Sequence, residues 1–425
     1  MVDGNCAAAF VINEIIMLKR LKSFDIFSII TAVFVVNNIV MITPSFSTPY
    51  YVVLLFVLVV LLSRGGIQRC NTPMVLLMLA IVCSLLFNDV PAVFSPWMRF
   101  ATFVIVTALV SPLIGSRPLY RFRCETFVLL QYLMVIVTIA SFLFYLAGIN
   151  YMRGDTGGQT GITSHSMILS PIAGNTLIFC LYKLIVERKW RSKMIVKLFY
   201  CGMIAISFIL VWVTLSRTTV LATLAGVVAL ILFQSNFRMG KASRLIIGLC
   251  AVAVITSPIW GKYTEGIQEK NLGSERAGSI LSSREEHWQK RIEEFKSSPI
   301  FGIGFASVDF DSQRNVAVEG AQVRLDDGKV ETGNSWLAVL SMTGIFGFAC
   351  FATLVIKSFF KSKRIRRFKM SDPICLIGSL LAFFSVHMFA EGYIFGAGGF
   401  IFFNVWLLLG VINAFDKMKF ESVSV

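Results

Sequence analysis

Arg284, His287 and Arg291 recur at i, i+3 and i+7 in a hydrophilic stretch otherwise rich in glutamate. On an α-helix that spacing puts all three on one face. An arginine presents a planar fork of donors that matches phosphate oxygens, so such a face could hold a phosphate or diphosphate. The alternative is a solvated charged face neutralised by Glu285, Glu286, Glu293 and Glu294. Arg217 is a further candidate, in the short turn Thr214-Leu215-Ser216-Arg217-Thr218-Thr219 between two apolar runs. That turn leaves its guanidinium little room except toward the mouth of a helical bundle. Arg99 and Arg153 are similarly isolated, and for all three the competing reading is snorkelling of a long basic side chain at a membrane interface.

Other polar residues offer proton-transfer or binding chemistry. A glycine-rich connection runs from Arg153 through Gly154, Gly157, Gly158 and Gly161 to His165. It lacks a phosphate-loop pattern with its lysine, so a nucleotide site is not indicated, and no Walker motif supports an ATP-driven pump. His165 reads as a base or as a helix cap. Glu391, at the end of an apolar run, reads as an arginine partner or as part of an exposed turn. The nine cysteines show no C-x-x-C pair or disulfide framework, and no acidic pair has metal-ligand spacing. The expectation is no metal and no cofactor.

The elements that must position these groups are membrane helices. The chain is 56% apolar and 13% aromatic, and apolar runs of about 15–25 residues recur along it, long enough to cross a hydrocarbon core of about 30 Å. They lack the period-2 alternation of a β-barrel. The reading is an all-α polytopic membrane protein with about twelve spans, near 26–42, 49–63, 74–88, 100–115, 126–149, 167–186, 198–216, 219–234, 245–260, 335–356, 373–390 and 395–414. Basic residues gather in alternate connections, among them Lys19 to Lys22, Arg64 and Arg69, Arg117 to Arg123, Arg188 to Lys197, and Lys361 to Lys369. By the positive-inside rule both termini are cytoplasmic and the long connection faces the other side. The same rule accounts for the +15 formal charge without nucleic acid. Residues 1–25 lack a cleavable-signal layout.

The chain thus divides into spans one to nine (1–260), a large loop (261–334), and three closing spans with a tail (335–425). Within the loop, Ser283 is a fitting N-cap, with Glu285 and Glu286 in the first turn. Residues 284–296 then form an amphipathic helix carrying Trp288, Ile292 and Phe295 on one face. Pro299 ends it, and Gly302-x-Gly304 supplies a tight turn.

Taken together, the order of these motifs resembles the O-antigen ligase and polymerase family. The carriers are Leu215-Ser216-Arg217, Ser283-Arg284 with Trp288, Ser298-Pro299-Ile300-Phe301-Gly302-Ile303-Gly304, and Asn334-Ser335-Trp336-Leu337 followed by Thr343-Gly344-Ile345-Phe346-Gly347. Arg291, ten residues, then Gly302 is similar to an element of the polymerases. The resemblance covers chiefly residues 198–350. It implies a multi-pass glycosyltransferase of the bacterial inner membrane, with a periplasmic loop, acting on undecaprenyl-diphosphate-linked glycans. The ligases carry His-Asn where this chain has Gly333-Asn334. That departure points to a polymerase of O-antigen or exopolysaccharide repeat units, with a ligase joining polymer to lipid A-core as the alternative.

The resemblance implies displacement at an anomeric carbon with undecaprenyl diphosphate as leaving group. Arg217 and Arg284 would neutralise the diphosphate, and Arg291 would share that role or position its helix. Glu331, His287 and His165 are candidate bases; a mechanism without a dedicated base is the alternative. Arg153, His165, Asn334 and Glu391 are candidate substrate-binding residues. Donor and acceptor would both be lipid-linked, membrane lipids surround the site, and a chain-length regulator is a candidate partner. A lipid-linked oligosaccharide flippase or transporter is the reading from another class, against which stands the lack of internal symmetry.

Overall fold

The computed structural model describes residues 24–43, 47–150, 158–187, 193–235, 282–308, 333–369 and 373–417. The expected span at 245–260 lies outside the described residues. Twelve α-helices follow one another among the rest: α1 (Ile26–Asn37), α2 (Ser47–Gly65), α3 (Thr72–Phe87), α4 (Pro96–Val110), α5 (Arg117–Leu146), α6 (Ser166–Ile185), α7 (Met194–Val213), α8 (Arg217–Gln234), α9 (Ser282–Ser297), α10 (Ser335–Lys369), α11 (Pro373–His387) and α12 (Phe400–Lys417). A two-residue antiparallel ribbon joins β1 (Arg69–Cys70) to β2 (Ile114–Gly115). Helix starts follow short polar side chains that satisfy the first free N–H groups: Asp25, Asn71, Ser116 and Ser216 each accept a bond from the turn they precede.

Six helices are long and apolar enough to cross a membrane, and five shorter apolar helices accompany them. Large apolar side chains face outward, including Met98 at 71% exposure, Leu86 at 67% and Leu221 at 62%. Exposure of this kind is costly in water and natural against lipid. The architecture is that of an all-α multi-pass membrane protein.

Small residues allow the inner helices to approach. Gly174 of α6 and Gly226 of α8 both lie against Phe383 of α11, leaving no room for larger side chains. Helix α8 packs along α11, α3 along α10, and α5 against both α1 and α12. At the centre Phe103 meets Phe395, Phe402 and Trp406 edge-on, each at a centroid distance of 5.7 Å.

Two boundaries differ from the sequence reading by more than about five residues. Helix α5 begins at Arg117, so the arginines expected in a connection lie on it. Arg123 is fully buried, donating from Nε to the Leu109 carbonyl at 2.9 Å and from Nη2 to Ala108 at 3.1 Å. Those carbonyls are free because α4 ends at Val110. Helix α10 likewise runs past the expected residue 356 to Lys369, because lysine and arginine are good helix formers and the basic stretch simply continues the helix.

Helix α10 is interrupted at Gly344, whose φ is +66° and ψ −172°. The segment after α9 lies in that notch: Ile345 N donates to the Pro299 carbonyl and Ile303 N to the Ser341 carbonyl, both at 2.9 Å. A Cβ at 344 would overlap the Ile300 carbonyl. Phe305, further along, plugs the bundle against Phe395 at 5.0 Å and Phe103 at 5.6 Å. Gly344→Ala should therefore lower stability by at least the ~1–3 kcal/mol of a left-handed non-glycine residue. Thermal unfolding of the detergent-purified variant checks this; an unchanged Tm contradicts the notch.

Candidate functional site

Helix α9 is built as the sequence suggests but turned differently. Arg291 faces α10 and not solvent, and His287, one turn earlier, is half-buried against Gly333. Arg291 is 3% exposed and Glu294 5%. Its Nη1 meets Glu294 Oε2 at 2.8 Å, the Ser341 hydroxyl at 3.3 Å and the Ser307 carbonyl at 3.4 Å. Burial lowers the Arg291 pKa, and the Glu294 carboxylate opposes that shift. Arg291 thus fastens α9 to α10 and to the segment carrying Phe305. Of the two roles read for it, positioning the helix is what these bonds support. On the apolar side of α9, Ile292 is exposed while Trp288 and Phe295 are half-buried, as suits a helix lying at a bilayer surface. The Trp288 indole Nε1–H is buried with no hydrogen-bond partner among the described residues.

His287 packs onto Gly333. A side chain grown at 333 would meet His287 Cβ at 2.9 Å and Cγ at 3.3 Å, and Gly333 itself has φ +61°. The site therefore has one imidazole here, brought by α9, and no room for another from 333. Arg284 falls in the first turn of α9, where its backbone alone is described. Glu331 and Arg153 lie outside the described residues.

The head of α10 joins the remaining groups. Asn334 Oδ1 accepts from Trp336 N at 2.8 Å and Leu337 N at 3.0 Å, capping the helix. Its Nδ2 donates to the Phe389 carbonyl at 2.6 Å. Ser335 N donates to the Met388 and Glu391 carbonyls at 2.9 and 3.1 Å, its hydroxyl donates to Glu391 O at 2.7 Å, and Tyr393 N donates back to it at 3.1 Å. The turn 387–393 is thus strapped to α10. Asn334, read as substrate-binding, has both ends of its amide engaged in that strap. Glu391 is half-buried within the turn. Together with burial, its carboxylate raises the pKa of the Tyr393 phenol well above the ordinary range, burial being the larger cause.

From the same turn a polar chain reaches Ser216 and Thr219 at the start of α8. His387, 1% exposed, lies between Tyr393 OH at 3.4 Å from Nδ1 and Thr219 Oγ1 at 3.3 Å from Nε2. Phe383 stacks on its ring at 5.8 Å. Thr219 Oγ1 is 3.1 Å from the Ser216 hydroxyl, which also caps α8 through Thr219 N at 3.4 Å. Arg217, half-buried, is the first residue of that helix. It follows Leu215 at φ +55°, a left-handed non-glycine turn held by Thr214 and Leu215 N–H bonds to the end of α7. A cation at a helix N-terminus opposes the helix dipole, so Arg217 has no local helical reason to be there.

His165 caps α6: its Nδ1 accepts from Met167 N at 3.0 Å. With Nδ1 accepting, the neutral ring carries its proton on Nε2, so it offers a donor and not a base. The structure therefore joins His287, Arg291, Asn334 and the backbone of Glu391 around the head of α10, and ties the first turn of α8, which Arg217 begins, to the same turn through Thr219 and His387. The sequence reading missed His387, Thr219 and Tyr393; its one signal was a histidine ending an otherwise apolar run.

The fold and this end of the bundle define a multi-pass membrane protein with a polar cluster built from separated segments. Residues 202–352, from within α7 to within α10, match the family model of O-antigen ligase. Over that segment the chain is similar to the O-antigen ligase and polymerase family. No curated protein matches the chain significantly.

The Arg291–Glu294 pair generates a sharp expectation. Arg291→Ala strands a buried carboxylate and should cost about 3–5 kcal/mol, whereas Arg291→Ala with Glu294→Ala should recover part of that loss. Unfolding of the single and double variants measures it. A double variant as unstable as the sum of the singles would mean the pair is not coupled.

Proposed function

We propose that the protein polymerises oligosaccharide repeat units linked to undecaprenyl diphosphate, at the periplasmic face of a bacterial inner membrane. The observation that carries this reading is the position of Arg217. It heads α8, whose first turn is tied through Thr219, His387 and Tyr393 to the head of α10, onto which α9 is fastened. The bond to be made is between a sugar hydroxyl of the acceptor and the anomeric carbon of the donor. The bond broken is that from the anomeric carbon to the diphosphate oxygen. The diphosphate leaves with added negative charge, and a fixed guanidinium in a site with little water lowers that barrier by several kcal/mol. Arg217 is assigned to this role, with Arg284 joining it from the first turn of α9. Arg291, spent on Glu294, Ser307 and Ser341, holds α9 in register.

The polymerase reading is favoured over the ligase reading by Gly333. The ligases resemble this chain except for a histidine at that position, and here His287 occupies the space such a side chain needs. His287 is then the imidazole packed on Gly333, beside Asn334, and is assigned to accept the acceptor's proton.

In a strain lacking this protein, surface glycan should stop at a single repeat. Full-length polymer retained on the carrier would make it a ligase, and repeats trapped on the cytoplasmic face would make it a transporter. Arg217→Ala should abolish long glycan with the protein still expressed, and Arg217→Lys should restore only a small part, because one ammonium cannot reproduce the fork. Normal chain length in the alanine variant removes Arg217 from the site.

A further inference from the structure

At the other end of the bundle lies a cavity of about 540 Å³. It is framed by the β1–β2 ribbon, the start of α3, and the later turns of α10 and α12. From the break at Gly344, Lys361 is about 25 Å further along α10 at 1.5 Å per residue, so this cavity is remote from the mouth. Four cations line it: Arg69, Lys357, Lys361 and Arg364, with no carboxylate among the lining residues. They come from two segments nearly three hundred positions apart in the chain.

In the sequence Arg69, Lys361 and Arg364 read only as topology signals. Topology requires that basic residues lie on one side; it does not require that they converge on a cavity. Lys361 Nζ is fixed by a bond to Asn413 Oδ1 at 2.9 Å, so it is oriented across α10 to α12 and does not trail into water. Hydroxyl and amide groups of Thr72, Ser358 and Asn71 add hydrogen-bonding capacity beside the cations. The remaining wall is apolar, formed by Leu354, Leu409 and Ile412, and Phe360 at its edge is 62% exposed on the lipid-facing surface. A cationic chamber with an apolar wall and an edge open to the bilayer suits an amphipathic anion. Its volume falls in the range of small-ligand sites, roughly 300–1,000 Å³.

We propose that this cavity binds a phosphate-bearing headgroup, and that its occupant is an anionic phospholipid entering beside Phe360. The cations neutralise the phosphodiester, and the acyl chains leave along the apolar wall. Binding here is separate from glycan transfer and needs no activity for its readout. Arg69 and Arg364 are both exposed, so their replacement leaves the packed core untouched.

The test uses the full chain, delipidated in neutral detergent. Thermal unfolding and native mass spectrometry are followed on adding phosphatidylglycerol, phosphatidylcholine or inorganic phosphate. Phosphatidylglycerol should raise Tm and remain bound where phosphatidylcholine does neither. The double variant Arg69→Gln, Arg364→Gln should weaken that binding about tenfold, while the charge-preserving Arg69→Lys, Arg364→Lys retains most of it. Equal stabilisation by inorganic phosphate, lost in the same double variant, would keep the phosphate site and overturn the lipid as its occupant. Phosphatidylglycerol binding unchanged in the double variant, or no binding at all, overturns the proposal.

Discussion

The charged mouth depends on the strap at the head of α10. Asn334 and Ser335 take up carbonyls of the turn 387–393 and leave no free backbone groups at the first turn of a helix buried in the bundle. Backbone polar groups left unpaired in a membrane cost several kcal/mol each, so these bonds are obligatory and not incidental. Because the strap fixes the turn, it fixes His387, and through Thr219 it fixes the start of α8. Arg217 inherits its place from residues far away in the chain.

Helix α9 is attached to the same joint by two unlike contacts. Gly333 admits His287 by having no side chain, and Arg291 reaches Ser341 while neutralising Glu294. Two buried opposite charges with several hydrogen bonds are tolerable where either alone is not. The notch at Gly344 then receives the segment after α9, and Phe305 carries that segment into the aromatic core. An otherwise hydrophilic helix is thereby held against the membrane bundle in one register.

Much of this was legible in the sequence. Apolar runs marked every helix of the bundle that the structure describes, because a hydrocarbon core imposes length and composition directly on the chain. The α9 helix and its Arg-His-Arg stripe were equally visible, since spacing fixes a face. Which way that face pointed was not. Amphipathic spacing put Trp288, Ile292 and Phe295 on one face without orienting it, and next to a bilayer the outside is apolar as well: Ile292 stays exposed while Arg291 and Glu294 are buried. The roles of Asn334 and His165 as caps depend on hydrogen bonds of a few residues' reach that spacing alone leaves ambiguous. His387 was hidden for another reason: its partners, Thr219 and Tyr393, lie on different elements, and only packing of α8 along α11 brings the first of them near. Arg69 and Lys361 carried a sufficient explanation in topology, which masked their convergence.

The central claim is that fixed positive charge at the mouth acts on a polyprenyl diphosphate as it leaves. The most direct measurement is turnover by the purified protein in lipid nanodiscs, given a synthetic undecaprenyl-diphosphate-linked repeat unit and no nucleotide. The account predicts glycans of more than one repeat, with one undecaprenyl diphosphate released per bond formed. Unextended substrate, or extension with the diphosphate still attached to every repeat, would contradict it.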